Sequence, residues 1–168
     1  MRTLWEQHME WTYATVAAFA SGTPGVRATL DRLLENQNDI GDAIKPFYGN
    51  RAGNALAQLL RTHINEAVPV LTAAQSGDQA GLDKAIKAWQ ANAKKIADFL
   101  ASANPHWGKA DMEMMMTTHI DQTVAYAAAQ LQGHYARSIR IYGHAEHHML
   151  GMADMLSNGI IAQFPGRF

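Results

Sequence analysis

The sequence contains no cysteine among its 168 residues. This absence excludes disulfide bonds, thiolate metal sites and cysteine nucleophiles, and it leaves histidine and carboxylate side chains as the available metal ligands. An excess of one charge is also lacking, because 14 basic residues stand against 15 acidic ones for a formal net charge of −1. Without a basic excess, neither nucleic acid nor an anionic membrane surface is expected as a partner.

Long apolar runs are missing as well. No stretch approaches the roughly 18 apolar residues that a membrane-spanning helix requires. The N-terminus, MRTLWEQHMEW, is amphipathic and lacks the uninterrupted apolar core of a signal peptide. We therefore expect a cytoplasmic protein without a membrane partner. A homo-oligomer is left open by the sequence.

The alternating apolar and polar pattern that is typical of β-strands does not occur, whereas Ala, Leu, Met, Gln and Lys are abundant. An apolar content of 48% is ordinary for a globular protein, and the length suits one domain. The sequence therefore predicts an all-α fold. We expect an up-and-down bundle of four or five helices, with a short helical connector after the first helix and residues 1–168 in one domain.

Glycine, proline and asparagine divide the chain into helices. A single helix from residue 111 to 164 would be about 80 Å long, too long for a bundle of this size, so we place a turn at Gln132-Gly133-His134. Because Gly41, Pro46 and Gly49 interrupt residues 36–49, we predict a connector there with at most one short turn. The predicted helices span residues 4–20, 23–35, 51–75, 79–103, 111–131 and 135–163.

Three histidines lie at the centres of apolar helix stripes when residues are projected at 100° each. They are His8, His63 and His119. Equal distances from the turns place His63, Asn92, His119 and a position near Glu146 at one height, while the connector leaves the height of His8 open. One shared metal ion would satisfy three buried imidazoles, so we predict a mononuclear transition-metal site with these histidines as ligands.

The remaining ligands of this predicted centre are less constrained. Glu146 and His148 flank the apolar face of the last helix, and Glu146 is favoured because a carboxylate offsets part of a dication's charge. Iron or zinc is preferred to copper, and Lewis-acid or redox chemistry is left open. The expected hydrogen-bond partners and pocket residues around the metal are Asn92, Glu66, Gln122, Tyr126 and Tyr142.

Two further functions compete with the metal site. In one, the three imidazoles with Asn92, Tyr126 and Glu66 line a pocket for a small organic ligand or a haem. In the other, the bundle is purely structural or oligomerising, and the histidines pair with core hydroxyls and carboxylates. A lone histidine on an apolar helix face is more often a satisfied core residue than a ligand. The methionines follow core spacing, and ordinary packing explains them better than Cu(I) binding.

Four segments carry a resemblance across nearly the whole chain. They are LWEQHMEWT at residues 4–12, KPFYG at 45–49, WQANA at 89–93 and ADMLSNGII at 153–161. In these segments the sequence resembles a family of small, uncharacterised bacterial all-helical proteins. The resemblance implies a helical domain and transfers no reaction.

Overall fold

The computed structural model describes residues 1–168 and contains five α-helices and no β-strand, which confirms the all-α prediction. A short 3₁₀ turn follows the last helix at Pro165–Arg167. None of the helices combines the length and the apolar character needed to cross a membrane. The helices are α1 (Arg2–Ala20), α2 (Val26–Ser76), α3 (Gln79–Ala103), α4 (Lys109–Leu131) and α5 (Tyr135–Gln163).

Helix α2 is two antiparallel segments, residues 26–48 and 50–76. Gly49 separates them with φ 81° and ψ 167°, a conformation outside any helix. A Cβ built on Gly41 would lie 2.5 Å from the carbonyl oxygen of Gly53 and 2.8 Å from the Cβ of Ala57. Twelve residues of straight helix would separate Gly41 from Gly53 by about 18 Å, so this contact requires the chain to reverse at Gly49.

The predicted connector over residues 36–49 is therefore wrong, because the first segment stays helical to residue 48. Gly41 does not break the helix. It lies buried where the two segments approach most closely, and a glycine there allows backbone to pack against backbone. Pro46 lies in the last turn of the segment, so a kink at this proline would displace only the two residues that follow it before Gly49.

The other predicted turns are confirmed. Gly77 (φ 72°) ends α2, and the Asp78 carboxylate accepts a hydrogen bond of 2.9 Å from the backbone N–H of Gly81 to cap α3. Gly133 (φ 74°) separates α4 from α5 at the predicted turn. The predicted ranges 79–103 and 135–163 are the observed ranges of α3 and α5.

Consecutive helices pack against each other, and α1 also packs against α5, so the bundle closes around one continuous apolar core. The turns at Gly77 and Gly133 lie at one end, which we call the Gly77 end. The Gly49 reversal and the loop between α3 and α4 lie at the other, the Gly49 end, where the Tyr48 ring contacts Trp107 with 5.7 Å between centroids. Each helical segment therefore runs from one end to the other.

Candidate functional site

Three imidazoles meet in the middle of the bundle. His8 comes from α1, His63 from the second segment of α2 and His119 from α4, and each side chain is 2–3% exposed. The ring centroid of His119 lies 5.6 Å from that of His8 and 5.9 Å from that of His63. The convergence of the three rings that the sequence predicted is therefore confirmed. We call this group the histidine layer.

The ring of His8 is held from the first segment of α2. Its Nδ1 lies 3.3 Å from the amide nitrogen Nε2 of Gln37. That same amide donates to the carbonyl oxygen of Leu33 at 2.8 Å, which fixes the orientation of the Gln37 side chain. Trp5, one turn earlier on α1, packs edge-on against the imidazole with 5.5 Å between centroids.

The ring of His63 is held from α3. Its Nδ1 lies 3.0 Å from Oδ1 of Asn92, and the amide nitrogen of Asn92 donates to the carbonyl oxygen of Leu59 at 3.3 Å. The indole of Trp89 packs against the imidazole with centroids 5.1 Å apart. Asn92 thus makes the ring contact that was expected of it.

Several polar atoms near the histidine layer have no hydrogen-bond partner. They include Nε2 of His63, Nδ1 of His119 and the hydroxyl of Thr123. The Thr123 hydroxyl lies close enough to the Tyr126 hydroxyl to lower the pKa of Tyr126, but the two do not meet the geometry of a hydrogen bond. A buried polar atom without a partner costs on the order of 1–3 kcal/mol. The missing hydrogen bonds therefore lower the stability of this part of the core.

The three histidines are neutral at ordinary pH. Burial and, second to it, a neighbouring imidazole lower the pKa of His8, His63 and His119 to about 3 each. The neighbour is His63 for His8, His119 for His63, and His8 for His119. A cationic imidazole would be both desolvated and repelled here.

The predicted metal centre is wrong. No group of three or more His, Asp or Glu side chains places its donor atoms where they could hold a metal ion. At His8 and His63 one ring nitrogen already contacts an amide side chain, because Nδ1 of His8 lies 3.3 Å from Nε2 of Gln37 and Nδ1 of His63 lies 3.0 Å from Oδ1 of Asn92. His119 lacks the second hydrogen bond that usually orients a metal-binding imidazole. The histidine layer therefore gives no support to bound iron, zinc or copper.

The two candidates for a fourth ligand do not join the three rings. Glu146 accepts a hydrogen bond of 3.1 Å from the hydroxyl of Tyr142, one turn earlier on α5. His148 donates from Nε2 to the carbonyl oxygen of Met115 at 3.0 Å. Both side chains are thus committed elsewhere, although His148 is close enough to lower the pKa of His119 slightly further.

The remaining predicted pocket residues are dispersed. Glu66 and Gln122 are half-buried, each with one side-chain oxygen unpartnered, and burial raises the pKa of Glu66. Tyr126 is fully buried between Tyr13 and Tyr142, with centroid distances of 5.8 and 6.0 Å, and burial raises its pKa. Burial, followed by the Glu146 carboxylate, also raises the pKa of Tyr142. The tyrosines form an aromatic cluster toward the Gly77 end and do not line the histidine layer.

A cavity of about 50 Å³ adjoins the histidine layer between α1, α2 and α4, and all three histidines line it. The Thr12 and Thr15 hydroxyls on its wall donate to carbonyls of their own helix, so they offer little to a ligand. Its other walls are mainly apolar, and they include Val16, Ile64, Leu71 and Ala127. By the space that one water needs, about 10–15 Å³, the cavity accommodates three to five non-hydrogen atoms.

Sequence reasoning missed this cavity. A hydrophobic pattern shows which face is buried, but it does not show where facing side chains fail to fill the space between them. The one available signal is the small size of Ala67, Thr123 and Ala127, which line the wall beside the histidines. Gln37 was also missed, because residues 36–49 were predicted as a connector.

Comparison with known proteins finds no matching family model, no similar curated protein and no similar solved structure. The function must therefore be argued from the geometry of the histidine layer and its cavity.

Proposed function

We propose that the protein binds a small, uncharged molecule of about three to five non-hydrogen atoms in the cavity beside the histidine layer. The observation that carries the proposal is a cavity beside the histidine layer whose accessible walls are almost wholly apolar. Binding sites for small molecules are lined predominantly by apolar side chains.

The energetics favour an occupant with apolar surface. Contact with Val16, Ile64 and Leu71 contributes roughly 25 cal/mol per Å² of apolar surface removed from water. This contribution gives a reason for a ligand to leave water.

The occupant is expected to carry no charge. No Lys, Arg, Asp or Glu lines the cavity, and the three histidines are neutral because burial lowers the pKa of each to about 3. A charged molecule would lose its hydration without gaining an opposite charge. A haem is excluded by size, because a cavity of about 50 Å³ cannot contain a porphyrin ring.

Methyl-labelled protein titrated with small probes tests the proposal. Ethanol is expected to shift the methyl resonances of Val16, Ile64 and Leu71 in a saturable way, whereas methylammonium and acetate are expected to leave them unchanged. Ala127→Leu places a larger side chain at the cavity wall and should abolish the ethanol shifts. Ala125→Leu, on the exposed face of the same helix, is the matched control and should retain them.

Two outcomes would overturn the proposal. One is the absence of saturable shifts with ethanol and with other uncharged probes of similar size. The other is an equal response in wild-type protein and Ala127→Leu, which would place the binding outside the cavity.

A further inference from the structure

Resting on the proposed function, we infer that the cavity is dry and selects an apolar ligand, a dissolved gas or a short hydrocarbon, over a hydroxyl-bearing molecule of the same size. The basis is that the accessible walls are almost wholly apolar, although three histidines and three threonines line the cavity. The histidine layer then contributes packing surface to the cavity and no hydrogen bond to its occupant.

The threonines of the wall offer no accessible hydrogen-bond donor. The hydroxyl of Thr12 donates to the carbonyl oxygen of His8 at 2.6 Å, and that of Thr15 donates to the carbonyl oxygen of Trp11 at 2.7 Å. Such bonds to the preceding turn hold a hydroxyl against its own helix. The hydroxyl of Thr123 has no partner, but it is buried beyond the reach of a water molecule. What these side chains add to the accessible wall is therefore apolar.

The histidines do not present their unpartnered nitrogens to an occupant either. Nε2 of His63 and Nδ1 of His119 are both enclosed by protein atoms, beyond the reach of a water molecule. On the supported side of two rings, Nδ1 of His8 contacts the Gln37 amide at 3.3 Å and Nδ1 of His63 contacts Oδ1 of Asn92 at 3.0 Å. These contacts engage the rings with the protein and not with the cavity.

Water gains little from entering such a cavity. A buried water typically makes two to four hydrogen bonds, and apolar cavities that lack such partners stay empty. The volume of about 50 Å³ would otherwise hold several waters. Atoms that line an empty space have no contact partners on one side, so an apolar occupant restores their dispersion contacts and displaces no bound water.

An alcohol gains the same contacts but loses its hydrogen bonds to water. Ethanol and propane have the same number of non-hydrogen atoms, so the cavity accommodates both by size. Burying a hydroxyl without a compensating hydrogen bond is expected to raise the Kd of ethanol above that of propane by roughly five- to 150-fold. Ethanol is thus a weaker ligand of the same cavity.

A comparison of the two molecules tests this selectivity. Methyl-labelled wild-type protein is titrated with ethanol and, under pressure, with propane. Both should shift the methyl resonances of Val16, Ile64 and Leu71, and the Kd of propane should be at least about fivefold lower. Ala127→Leu should abolish both responses, whereas the matched control Ala125→Leu, at an exposed position of the same helix, should retain both Kd values.

Xenon supplies a second measurement, because it has no hydrogen-bonding group and binds in dry apolar cavities. Crystals pressurised with xenon are expected to show an anomalous scattering peak in the cavity in wild-type protein and in Ala125→Leu, but not in Ala127→Leu. Wild-type crystals without xenon are expected to show no ordered water hydrogen bonded to the cavity walls.

The outcomes separate the inference from the proposed function. If ethanol, propane and xenon all fail to bind in the cavity, the proposed function fails. If ethanol binds and the propane Kd is less than about fivefold lower, or if ordered water fills the cavity through hydrogen bonds to its walls, the apolar inference fails. The cavity then remains a binding site for small uncharged molecules.

Discussion

The Gly49 end and the histidine layer treat buried polar groups differently. At the Gly49 end, the Asn104 amide donates to the Tyr48 hydroxyl at 2.9 Å, and that hydroxyl donates to Oε1 of Gln163 at 2.8 Å. Oδ1 of Asn104 accepts from the backbone N–H of His106 at 2.8 Å, which completes the chain. In the histidine layer, by contrast, amides support the outer nitrogens of two rings while other nitrogens remain unpartnered.

The Gly49 end is also more closely packed than the histidine layer. At the Gly49 end the Trp107 indole is 2% exposed and lies so close to Gly159 that a Cβ there would overlap it. Beside the histidine layer, the walls leave a cavity. Both regions contain an unpartnered polar atom, because Nε1 of Trp107 also lacks a hydrogen-bond partner. The difference between them is therefore one of packing, and the cavity beside the histidine layer supports a role in binding for that region.

The largest expected effect that separates the two regions is acid destabilisation from the histidine layer. Each buried histidine has a folded pKa of about 3 against 6.5 unfolded, so below pH 6.5 only the unfolded state gains its proton. Stability is then full above pH 6.5 and falls as the pH drops toward 3. Where all three histidines are protonated in the unfolded state and neutral in the folded state, the free energy of unfolding changes by about 4 kcal/mol per pH unit. Urea unfolding measured between pH 7 and 5 checks this.

Single variants sharpen the acid prediction. His63→Leu should reduce the pH slope by about one proton, or roughly 1.4 kcal/mol per pH unit. His144→Leu removes an exposed histidine of α5 and should leave the slope unchanged. Equal slopes for the two variants would mean that His63 is not held neutral in the folded protein.

The Gly49 end is best challenged at Gly159. Gly159→Ala would place a methyl group against the buried Trp107 indole, and we expect a loss of about 1–3 kcal/mol in the free energy of unfolding from this overpacking. Gly151→Ala lies on the same helix with open space around it and should gain about 0.5–1 kcal/mol from helix propensity. Chemical denaturation compares the two, and similar values would contradict close packing at this end.

Removal of the Asn92 amide that supports His63 is expected to have an effect on stability comparable to, or smaller than, that of Gly159→Ala. Asn92→Ala leaves Nδ1 of His63 buried without an acceptor, and it should lower the free energy of unfolding by about 1–3 kcal/mol. Asn158→Ala, at an exposed position of α5, should change it by less than about 0.5 kcal/mol. Both are measured by denaturant unfolding at pH 7. If the two variants were equally stable, Asn92 would not be supporting the ring.

The smallest expected effect comes from the under-satisfied hydroxyl of Thr123. Thr123→Val removes a buried hydroxyl without a partner, so stability in the absence of ligand should be unchanged or rise by up to about 1 kcal/mol. Thr15→Val removes a hydroxyl that donates to the Trp11 carbonyl at 2.7 Å, and it should not be stabilising. Melting temperatures distinguish them. A clear loss of stability in Thr123→Val would show that this hydroxyl has a partner after all.

Helical periodicity and glycine turns were sufficient to predict the bundle and the convergence of its histidines. The turn at Gly133 and the ranges of α3 and α5 followed from local rules, and equal residue counts from the turns placed His63 near Asn92 and His119. Gly41 was misinterpreted because a glycine that ends a helix and a glycine that permits close packing look alike in a sequence.

The chemistry of the site was harder to predict than its location. An inward-facing histidine gives the same pattern whether it binds a metal or accepts a hydrogen bond from an amide. The distinction depends on which groups the ring nitrogens contact. Nδ1 of His8 faces the Gln37 amide and Nδ1 of His63 faces Oδ1 of Asn92, and periodicity does not encode these contacts.

A crystal structure of the wild-type protein soaked in ethanol tests the central claim most directly. The account predicts ethanol in the cavity, in contact with Val16, Ile64 and Leu71. Electron density that fits only ordered water there, in crystals that hold ethanol elsewhere, would contradict the claim that the histidine layer is a binding site for a small uncharged molecule.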